Sequence, residues 1–320
     1  MPLSITIKPQ GRRVALAKGL PATVSFSDKT ISQVTVEEVK GALQAKFPRF
    51  YASRQKLSLE DSKKTLSDEK TIAEVLADEG RSSTDVSELT FSVKDLGPQI
   101  SWKTVFLVEY LGPLIIHPVV YHLSGTIYRQ NFEHSQLQTV TYGLVLAHFL
   151  KRELETLFVH RFSHATMPFT NIFKNSAHYH LLSGILLAGG VYGPWYSSQA
   201  LAGSRRADPK WIAGFSALWL VAELLNLQAH VTLRNLRPPG TKTRGIPRGG
   251  LFEYVSCPNY LSETLAWAAI TGLTLSPFAL LFLVVSTVQM GVWALKKHHA
   301  YKKEFGTKYP RRKAMIPFIF

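Results

Sequence analysis

Three polar side chains open an apolar stretch in the last quarter of the chain. The segment PNYLSETLAWAA, 258–269, carries Asn259 and Glu263 four residues apart, with Tyr260 between them. Residues four apart share one face of a helix, so the amide and the carboxylate are predicted to project together. These groups can bind ribose or carboxamide, and a phenol can supply a proton. The alternative for Tyr260 is an aromatic anchor at a membrane interface.

A second polar stripe lies in the preceding apolar run. Glu223, Asn226 and His230 follow at i, i+3 and i+7, and the stripe continues to Arg234 and Arg237. A charged side chain in mid-membrane costs about 2.5–3.5 kcal/mol, so it usually faces a cavity or a partner. Such groups can also hydrogen-bond one another and hold a bundle together. Because the stripe runs into an arginine-rich loop, we predict that it lines a polar cavity whose arginines bind phosphate.

The first apolar run adds Glu109 at its middle, within TVFLVEYLGPLIIHPVVYHL, 104–123. No metal site is predicted, because the clustered histidines at 160, 164, 178 and 180 lack a carboxylate or cysteine framework at zinc spacing. Cys257 is the only cysteine, which excludes an internal disulfide. Neither G-x-G-x-x-G after a strand nor a Walker motif is present, so neither of these nucleotide-binding sites is indicated.

The two halves of the chain differ in composition. Residues 1–98 read as soluble sequence, whereas 101–299 hold most of the long apolar runs. The formal net charge is +15, and much of the excess lies between the apolar runs, as is typical of cytoplasmic loops. We therefore expect membrane lipids as the main partner of this charge and a polyanionic cofactor as the second. Nucleic acid is not expected.

The first 95 residues carry the patterns of a small α+β domain. LSITIKP, ATVSFS, KLSLE and SELTFSV favour strands, TVEEVKGALQAKFP favours a helix capped by Thr35, and LSDEKTIAEVL favours a short helix or turn. This order resembles the ubiquitin-like fold. We predict a ubiquitin-like domain over 1–95, a linker at 96–103 and a membrane-embedded domain over 104–320.

The remaining chain has apolar runs long enough to cross a bilayer, which takes about 20 residues. They are 104–123, 137–150, 179–196, 211–233 and 260–295. The last run is too long for one span and should break near Pro277, and LETLFVHRF either extends the second span or adds another. The predicted fold class is an α-helical multi-pass membrane bundle of six to seven spans, with an N-terminal α+β ubiquitin-like domain.

Three long motifs carry a resemblance to a known family. NLRPPGTKTRGIPRGGLFEYVSCPNYLSETLAWAA and KKHHAYKKEFGTKYPRRKAMIPFIF resemble the steroid 5-alpha-reductase family. FVHRFSHATMPFTNIFKNSAHY is similar to its very-long-chain trans-2-enoyl-CoA reductases, which also carry an N-terminal ubiquitin-like domain. The resemblance implies NADPH-dependent reduction of an enoyl-CoA, the last step of fatty acid elongation, in the endoplasmic reticulum membrane. Its implied partners are very-long-chain enoyl-CoA, membrane lipids and other elongation enzymes.

The resemblance also implies site residues. Those for the cofactor are Asn226, Arg234, Arg237, Asn259, Glu263, His299 and Tyr301. The family's membrane-buried glutamate falls on Glu109, and a tyrosine of some relatives is Phe149 here, which moves the predicted proton donor to Tyr260. The acidic end of coenzyme A is predicted to meet Lys151, Arg152, His160 and Arg161. For Lys151 and Arg152, positive-inside topology is an equally good explanation.

Other functions fit parts of the same pattern. A reductase of a steroid or polyprenol enone would need the same polar cavity, and membrane methyltransferases of the isoprenylcysteine type share a basic, aromatic C-terminus. A membrane adaptor with a ubiquitin-like head is the alternative from a different class. An enzyme's bundle should keep its chemistry without residues 1–95, whereas an adaptor should lose its activity.

Overall fold

The computed structural model describes residues 3–60, 62, 64–81, 88–162, 165–236 and 245–320. The chain forms two compact units. The first comprises Met1–Ser101 and Thr166–Phe169, and the second comprises Trp102–Ala165 and Thr170–Phe320.

The first unit is built on a four-stranded sheet. Its strands are β1 (Leu3–Pro9), β2 (Ala22–Phe26), β3 (Gln55–Leu59) and β4 (Glu88–Asp95). They lie in the order β2-β1-β4-β3, with β1 and β4 parallel and both outer pairs antiparallel. Alternation along β1 buries Leu3, Ile5 and Ile7, as expected for a sheet with one face on a core.

Two helices complete this core, α1 (Val36–Lys46) and α2 (Ile72–Asp78). Each begins with a capping box, in which the side chain of an N-cap threonine accepts a hydrogen bond from the backbone N–H of the third helical residue. That third residue is a glutamate, whose side chain accepts from the backbone N–H of the threonine. The caps are Thr35 with Glu38 and Thr71 with Glu74. The predicted α+β ubiquitin-like fold, the order of its elements and the Thr35 cap are confirmed.

A small second sheet belongs to the same unit. Strand β5 (Gln99–Ser101) pairs antiparallel with β6 (Thr166–Pro168). The stretch 96–103, predicted as a linker, thus contains a strand and the first residues of a helix. Sequence periodicity cannot reveal a three-residue strand whose partner lies more than sixty residues away.

The second unit is helical. Its longer elements are α3 (Trp102–His122), α5 (Gln136–Leu154), α9 (Pro209–Asn235), α10 (Pro258–Thr274) and α11 (Pro277–Phe305). Short helices α4 (Ser124–Tyr128), α6 (Asn171–Ser176), α7 (Leu187–Val191) and α8 (Ser198–Leu201) lie between them. Two π-helical segments, π1 (Glu155–Val159) and π2 (Ala177–Leu186), extend α5 and α6. The pairs α9–α10 and α3–α5 pack together, and Trp267, Phe282 and Tyr192 fill the core.

Three helices are long and apolar enough to cross a membrane among the described residues, α3, α9 and the segment Pro277–Lys308. The predicted count of six to seven spans is not confirmed. The physical reason is local: α10 has 17 residues, α5 ends in charged side chains, and the run 179–196 is divided among π2, α7 and a 3₁₀ turn. The predicted break near Pro277 is confirmed, because α10 ends at Thr274 with Leu275 (φ +52°) as its C-cap, and α11 begins at Pro277.

Candidate functional site

The second half of α5 and the first residue of π1 carry four polar side chains on one stripe. His148, Lys151, Arg152 and Glu155 follow at i, i+3, i+4 and i+7, so they lie on one helix face, toward α9 and α10. His148 and Glu155 are fully buried. Neither residue was predicted as a site residue from the sequence, although their helical spacing with Lys151 and Arg152 indicates a shared face.

His148 joins three helices. Its Nδ1 lies 2.6 Å from Glu223 Oε1 on α9, and its Nε2 lies 3.2 Å from Glu263 Oε1 on α10. Ionised carboxylates only accept hydrogen bonds, so both contacts are satisfied when both ring nitrogens donate. This geometry fits an imidazolium between two carboxylates.

Lys151 makes one hydrogen bond and two ion pairs within the same network. Its Nζ lies 2.6 Å from Asn226 Oδ1, 2.9 Å from Glu223 Oε2 and 3.2 Å from Glu155 Oε1. The Asn226 amide in turn donates to the Asn259 carbonyl at 2.9 Å and to Glu263 Oε2 at 3.3 Å. The structure therefore brings together Asn226, Asn259 and Glu263, which the sequence analysis assigned to a cofactor, and adds Lys151 to them.

Arg152 extends the network to α3. One terminal nitrogen donates to Glu155 Oε2 at 2.7 Å and lies 3.4 Å from His230 Nδ1. The other donates to the Tyr110 hydroxyl at 2.9 Å. His230, whose role the sequence left uncertain, also lies 3.0 Å from Glu155 Oε1.

The charges of this buried network nearly cancel. Lys151 and Arg152 contribute two positive charges and Glu155, Glu223 and Glu263 three negative ones, so an imidazolium at His148 neutralises the set. Buried ion pairs contribute little net stability compared with apolar packing, yet breaking one costs about 3–5 kcal/mol. Removing one member of the network is therefore expected to leave an uncompensated buried charge.

Glu263 is the most accessible of the three carboxylates. Its side chain is 17% exposed, against 5% for Glu223 and 2% for Glu155. Trp267, one helical turn further along α10, donates from Nε1 to Glu263 Oε1 at 3.2 Å and thereby orients the carboxylate. The other oxygen, Oε2, has the long contact to Asn226 as its hydrogen bond among the described residues and retains capacity for a ligand donor.

Glu109 lies on α3 beside Tyr110 and is 2% exposed. Asn175, in α6, hydrogen-bonds its carboxyl group. Within the described part of the chain, its Oε2 is buried without a hydrogen-bond partner. Arg152 acts on it electrostatically, which links Glu109 to the network.

Tyr260 lies on a different face of α10 from Asn259 and Glu263. Its ring is 6.3 Å from the Trp293 ring, and Lys297 Nζ lies 5.6 Å from its centroid, both on α11. Arg152 is the network residue that acts electrostatically on it. No hydrogen bond joins Tyr260 to the network among the described residues.

The remaining predicted cofactor residues lie at the basic ends of α9 and α11. Arg234 is exposed and its carbonyl accepts from Arg161 at 3.2 Å, so a predicted coenzyme A residue meets a predicted cofactor residue. His299 is exposed, and Tyr301 stacks on Tyr309 at 5.5 Å. Arg237 lies outside the described residues.

A second polar cluster, missed by the sequence analysis, ties the chain end to the loop before α10. Ser256 Oγ lies 2.6 Å from His298 Nδ1 and 2.7 Å from the Tyr309 hydroxyl. Arg312 donates to Tyr309 at 2.9 Å and to the carbonyls of Pro247, at 3.0 Å, and Phe252. The cluster anchors the segment that follows the arginine-rich loop. In the HH pair His298 is buried, whereas His299, the predicted cofactor residue, is exposed.

Glu155, His160 and His230 place one ligand atom each within 4.8 Å of one another, a spacing that suits a metal ion. The rings of His160 and His230 lie 4.8 Å apart. Lys151 and Arg152 lie 3.2 and 2.7 Å from the Glu155 carboxylate, and these positive charges would repel a cation. The absence of a bound metal ion at Glu155, His160 and His230 therefore remains a prediction.

Comparisons with known proteins agree with this architecture. A family model described as 3-oxo-5-alpha-steroid 4-dehydrogenase matches residues 165–320, and one described as TECR, ubiquitin-like domain, matches residues 21–82. A very-long-chain enoyl-CoA reductase of Dictyostelium discoideum is 43% identical over 234 residues, 73% of this chain and 75% of the relative. A trans-2,3-enoyl-CoA reductase-like protein of Bos taurus is 32% identical over 305 residues, 92% of this chain and 80% of the relative.

Proposed function

Because the chain belongs to the enoyl-CoA reductase family, we propose that it reduces trans-2-enoyl-CoA to saturated acyl-CoA with NADPH. The proposed step is the last one of very-long-chain fatty acid elongation, in the membrane of the endoplasmic reticulum. The three apolar helices fit a membrane enzyme whose substrate carries a long acyl chain. Other enzymes of the elongation cycle are proposed as partners.

The observation that supports this proposal most is the buried network centred on Asn226 and Glu263. A nicotinamide carboxamide donates hydrogen bonds through its amide nitrogen, and Glu263 Oε2 and Asn226 Oδ1 each retain acceptor capacity for such a donor. Arg234 lies at the exposed end of the same helix, where a cation suits a phosphate. Asn259, His299, Tyr301 and Arg237 complete the proposed cofactor set.

The reaction needs two donors from the protein. Bound NADPH supplies a hydride. As negative charge develops on the thioester oxygen, a hydrogen-bond donor must stabilise it, and a proton must then reach the α-carbon. Glu109 in its protonated form is proposed to act at the thioester oxygen, and Tyr260 is proposed to give the proton.

The substrate's acidic end is proposed to lie at the basic mouth of the site. Lys151 and Arg152 are paired with buried carboxylates, so they present less free charge than the sequence analysis assumed. Arg161 lies at the exposed end of α9, and His160 lies against His230. Arg161 is therefore proposed as the main contact for the diphosphate of coenzyme A, and His160 as a secondary one.

The test is NADPH oxidation by the full chain, purified in detergent, with trans-2-enoyl-CoAs of graded acyl length. We expect oxidation that depends on enoyl-CoA and stops when the double bond is absent from the substrate. A 3-oxo-4-ene steroid and a polyprenol-type enone serve as competing substrates. Turnover of either competitor together with inactivity on every enoyl-CoA would overturn the proposed substrate class.

A further inference from the structure

The α3 face beside the network holds a buried polar atom that the fold leaves unsatisfied. Glu109 is 2% exposed, and its Oε2 is buried with no hydrogen-bond partner in the described part of the chain. Buried polar atoms are nearly always paired, so an orphaned carboxyl oxygen in the interior needs an explanation. A ligand group that pairs with it when bound is such an explanation.

The π2 segment brings Tyr179 to this place. Asn175, which hydrogen-bonds the Glu109 carboxyl, lies four residues before Tyr179 on the continuous helix, so both side chains project from one face. His180 Nε2 lies 3.0 Å from the Val108 carbonyl and pins π2 on α3. π-Helical segments are rare and are frequently found at functional sites.

Close approach of the two helices depends on a glycine of α3. A Cβ on Gly112 would lie 2.0 Å from the His180 ring, a separation that real side chains do not reach. The edge-on contact between Tyr179 and Tyr110, with ring centroids 5.1 Å apart, follows from this approach. The approach thus places the Tyr179 ring against Tyr110, the residue that follows Glu109.

The Tyr179 hydroxyl is a donor without an assigned acceptor. Among the described residues it has no hydrogen bond, whereas the Tyr110 hydroxyl is engaged by Arg152 at 2.9 Å. The groups that act electrostatically on Tyr179 are Tyr110, Glu109, Glu263 and Arg152. The neighbouring Phe149, whose ring lies 6.1 Å away and perpendicular, has no hydroxyl to offer.

We propose that the Tyr179 hydroxyl donates a hydrogen bond to the thioester oxygen of the substrate beside Glu109. The inference rests on the proposed enoyl-CoA reduction and deepens it. Hydride addition to the β-carbon moves the π electrons of the alkene onto the thioester oxygen as an enolate, which Tyr179 stabilises without losing its proton. The enolate then collapses as the α-carbon takes the proton assigned to Tyr260, leaving a saturated acyl-CoA and oxidised cofactor. Tyr179 is therefore a substrate-contacting donor, a role that no sequence motif assigned to it.

The test compares Tyr179→Phe with the wild-type full chain in the same detergent or nanodisc. Phenylalanine keeps the ring packing and removes the hydroxyl. Loss of one donor to a developing oxyanion lowers kcat by about 10²–10³-fold, so that decrease is expected with an unchanged Kd for NADPH and unchanged thermal stability. The matched control is Tyr142→Phe, whose hydroxyl has a 3.4 Å contact to His122, a residue outside the network, and whose loss should leave kcat unchanged.

A rescue variant separates chemistry from packing. Adding Phe149→Tyr to Tyr179→Phe returns a phenol to the adjacent ring position, and we expect it to recover at least tenfold of the lost kcat. Three results overturn the inference: kcat of Tyr179→Phe within threefold of wild type, a parallel loss of NADPH binding and thermal stability, or no rescue by Phe149→Tyr. A wild-type protein inactive on every enoyl-CoA would instead overturn the proposed function itself.

Discussion

Glu263→Ala tests the carboxylate on which the proposed cofactor site depends. In the structure this side chain accepts from Trp267 Nε1 at 3.2 Å and from the Asn226 amide at 3.3 Å, and it lies 3.2 Å from His148 Nε2. Its Oε2 keeps acceptor capacity beyond the Asn226 contact and is the oxygen left for the nicotinamide carboxamide. A hydrogen bond to a charged group contributes about 1.5–3 kcal/mol, so the Kd for NADPH should rise by roughly 10- to 150-fold. Titration of the purified protein, followed by NADPH fluorescence, measures the change.

Two control variants separate binding from scaffold damage. Glu263→Gln keeps an acceptor for Trp267 but turns a donor toward Asn226, so its Kd should fall between wild type and Glu263→Ala. Glu253→Ala removes a glutamate that pairs at 3.1 Å with Arg248 in an exposed loop, and its Kd should equal the wild-type value. Thermal unfolding without cofactor reports the stability of each variant. A wild-type Kd in Glu263→Ala would refute the assignment of this carboxylate to the cofactor.

Three further predictions test other parts of the account. Tyr260→Phe should bind NADPH normally and lose about 10²–10⁴-fold in turnover, the usual contribution of a general acid, and full activity would remove Tyr260 from that role. Gly112→Ala should destabilise the helical unit by about 1–3 kcal/mol through overpacking. Gly143→Ala is the control, because a Cβ there meets nothing within 4 Å and should not destabilise the unit. Equal melting temperatures for the two variants would contradict the close helix contact. In the first unit, burial raises the pKa of Asp95, but the hydrogen-bonded Arg54 guanidinium lowers it by more, so the net pKa is lowered. The ion pair therefore stabilises the unit above the carboxyl's unfolded pKa, and this stabilisation is lost as the pH falls through the lower folded pKa. Hydrogen exchange of β3 and β4 should therefore show that Asp95→Asn is destabilising at pH 7 and that this effect shrinks as the pH is lowered below the carboxyl's unfolded pKa, and a pH-independent difference would contradict the pairing.

The first unit was predictable from sequence because its signals are local. Period-two alternation in β1 and the Thr35 capping box depend on residues close in the chain, and both appear in the structure. The strand β5 was not predictable, since three residues carry no periodicity and its partner β6 is distant. The predicted count of six to seven spans stays a prediction, because apolar length alone does not account for the polar residues and helix breaks that divide each run.

The network was partly predictable for a similar reason. Helical spacing alone predicted that Asn259 and Glu263 share one face of α10 and that Asn226 lies on a polar stripe of α9. Their contact follows when these two polar faces pack against each other. Tyr260 was grouped with them by adjacency, yet consecutive helix residues diverge by about 100°, and the ring turns toward α11. Tyr179 was not predicted, because its position depends on a π-helical segment and on a tertiary contact at Gly112 that no local pattern encodes.

The most direct measurement is a cryo-EM structure of the full chain in a lipid nanodisc with oxidised cofactor bound. The account predicts density for the nicotinamide within hydrogen-bond distance of Glu263 and Asn226, with the adenosine phosphates toward Arg234. Cofactor density outside the bundle, with the contacts among His148, Lys151 and Glu223 unchanged, would contradict the claim that this buried polar network is the cofactor site of a reductase.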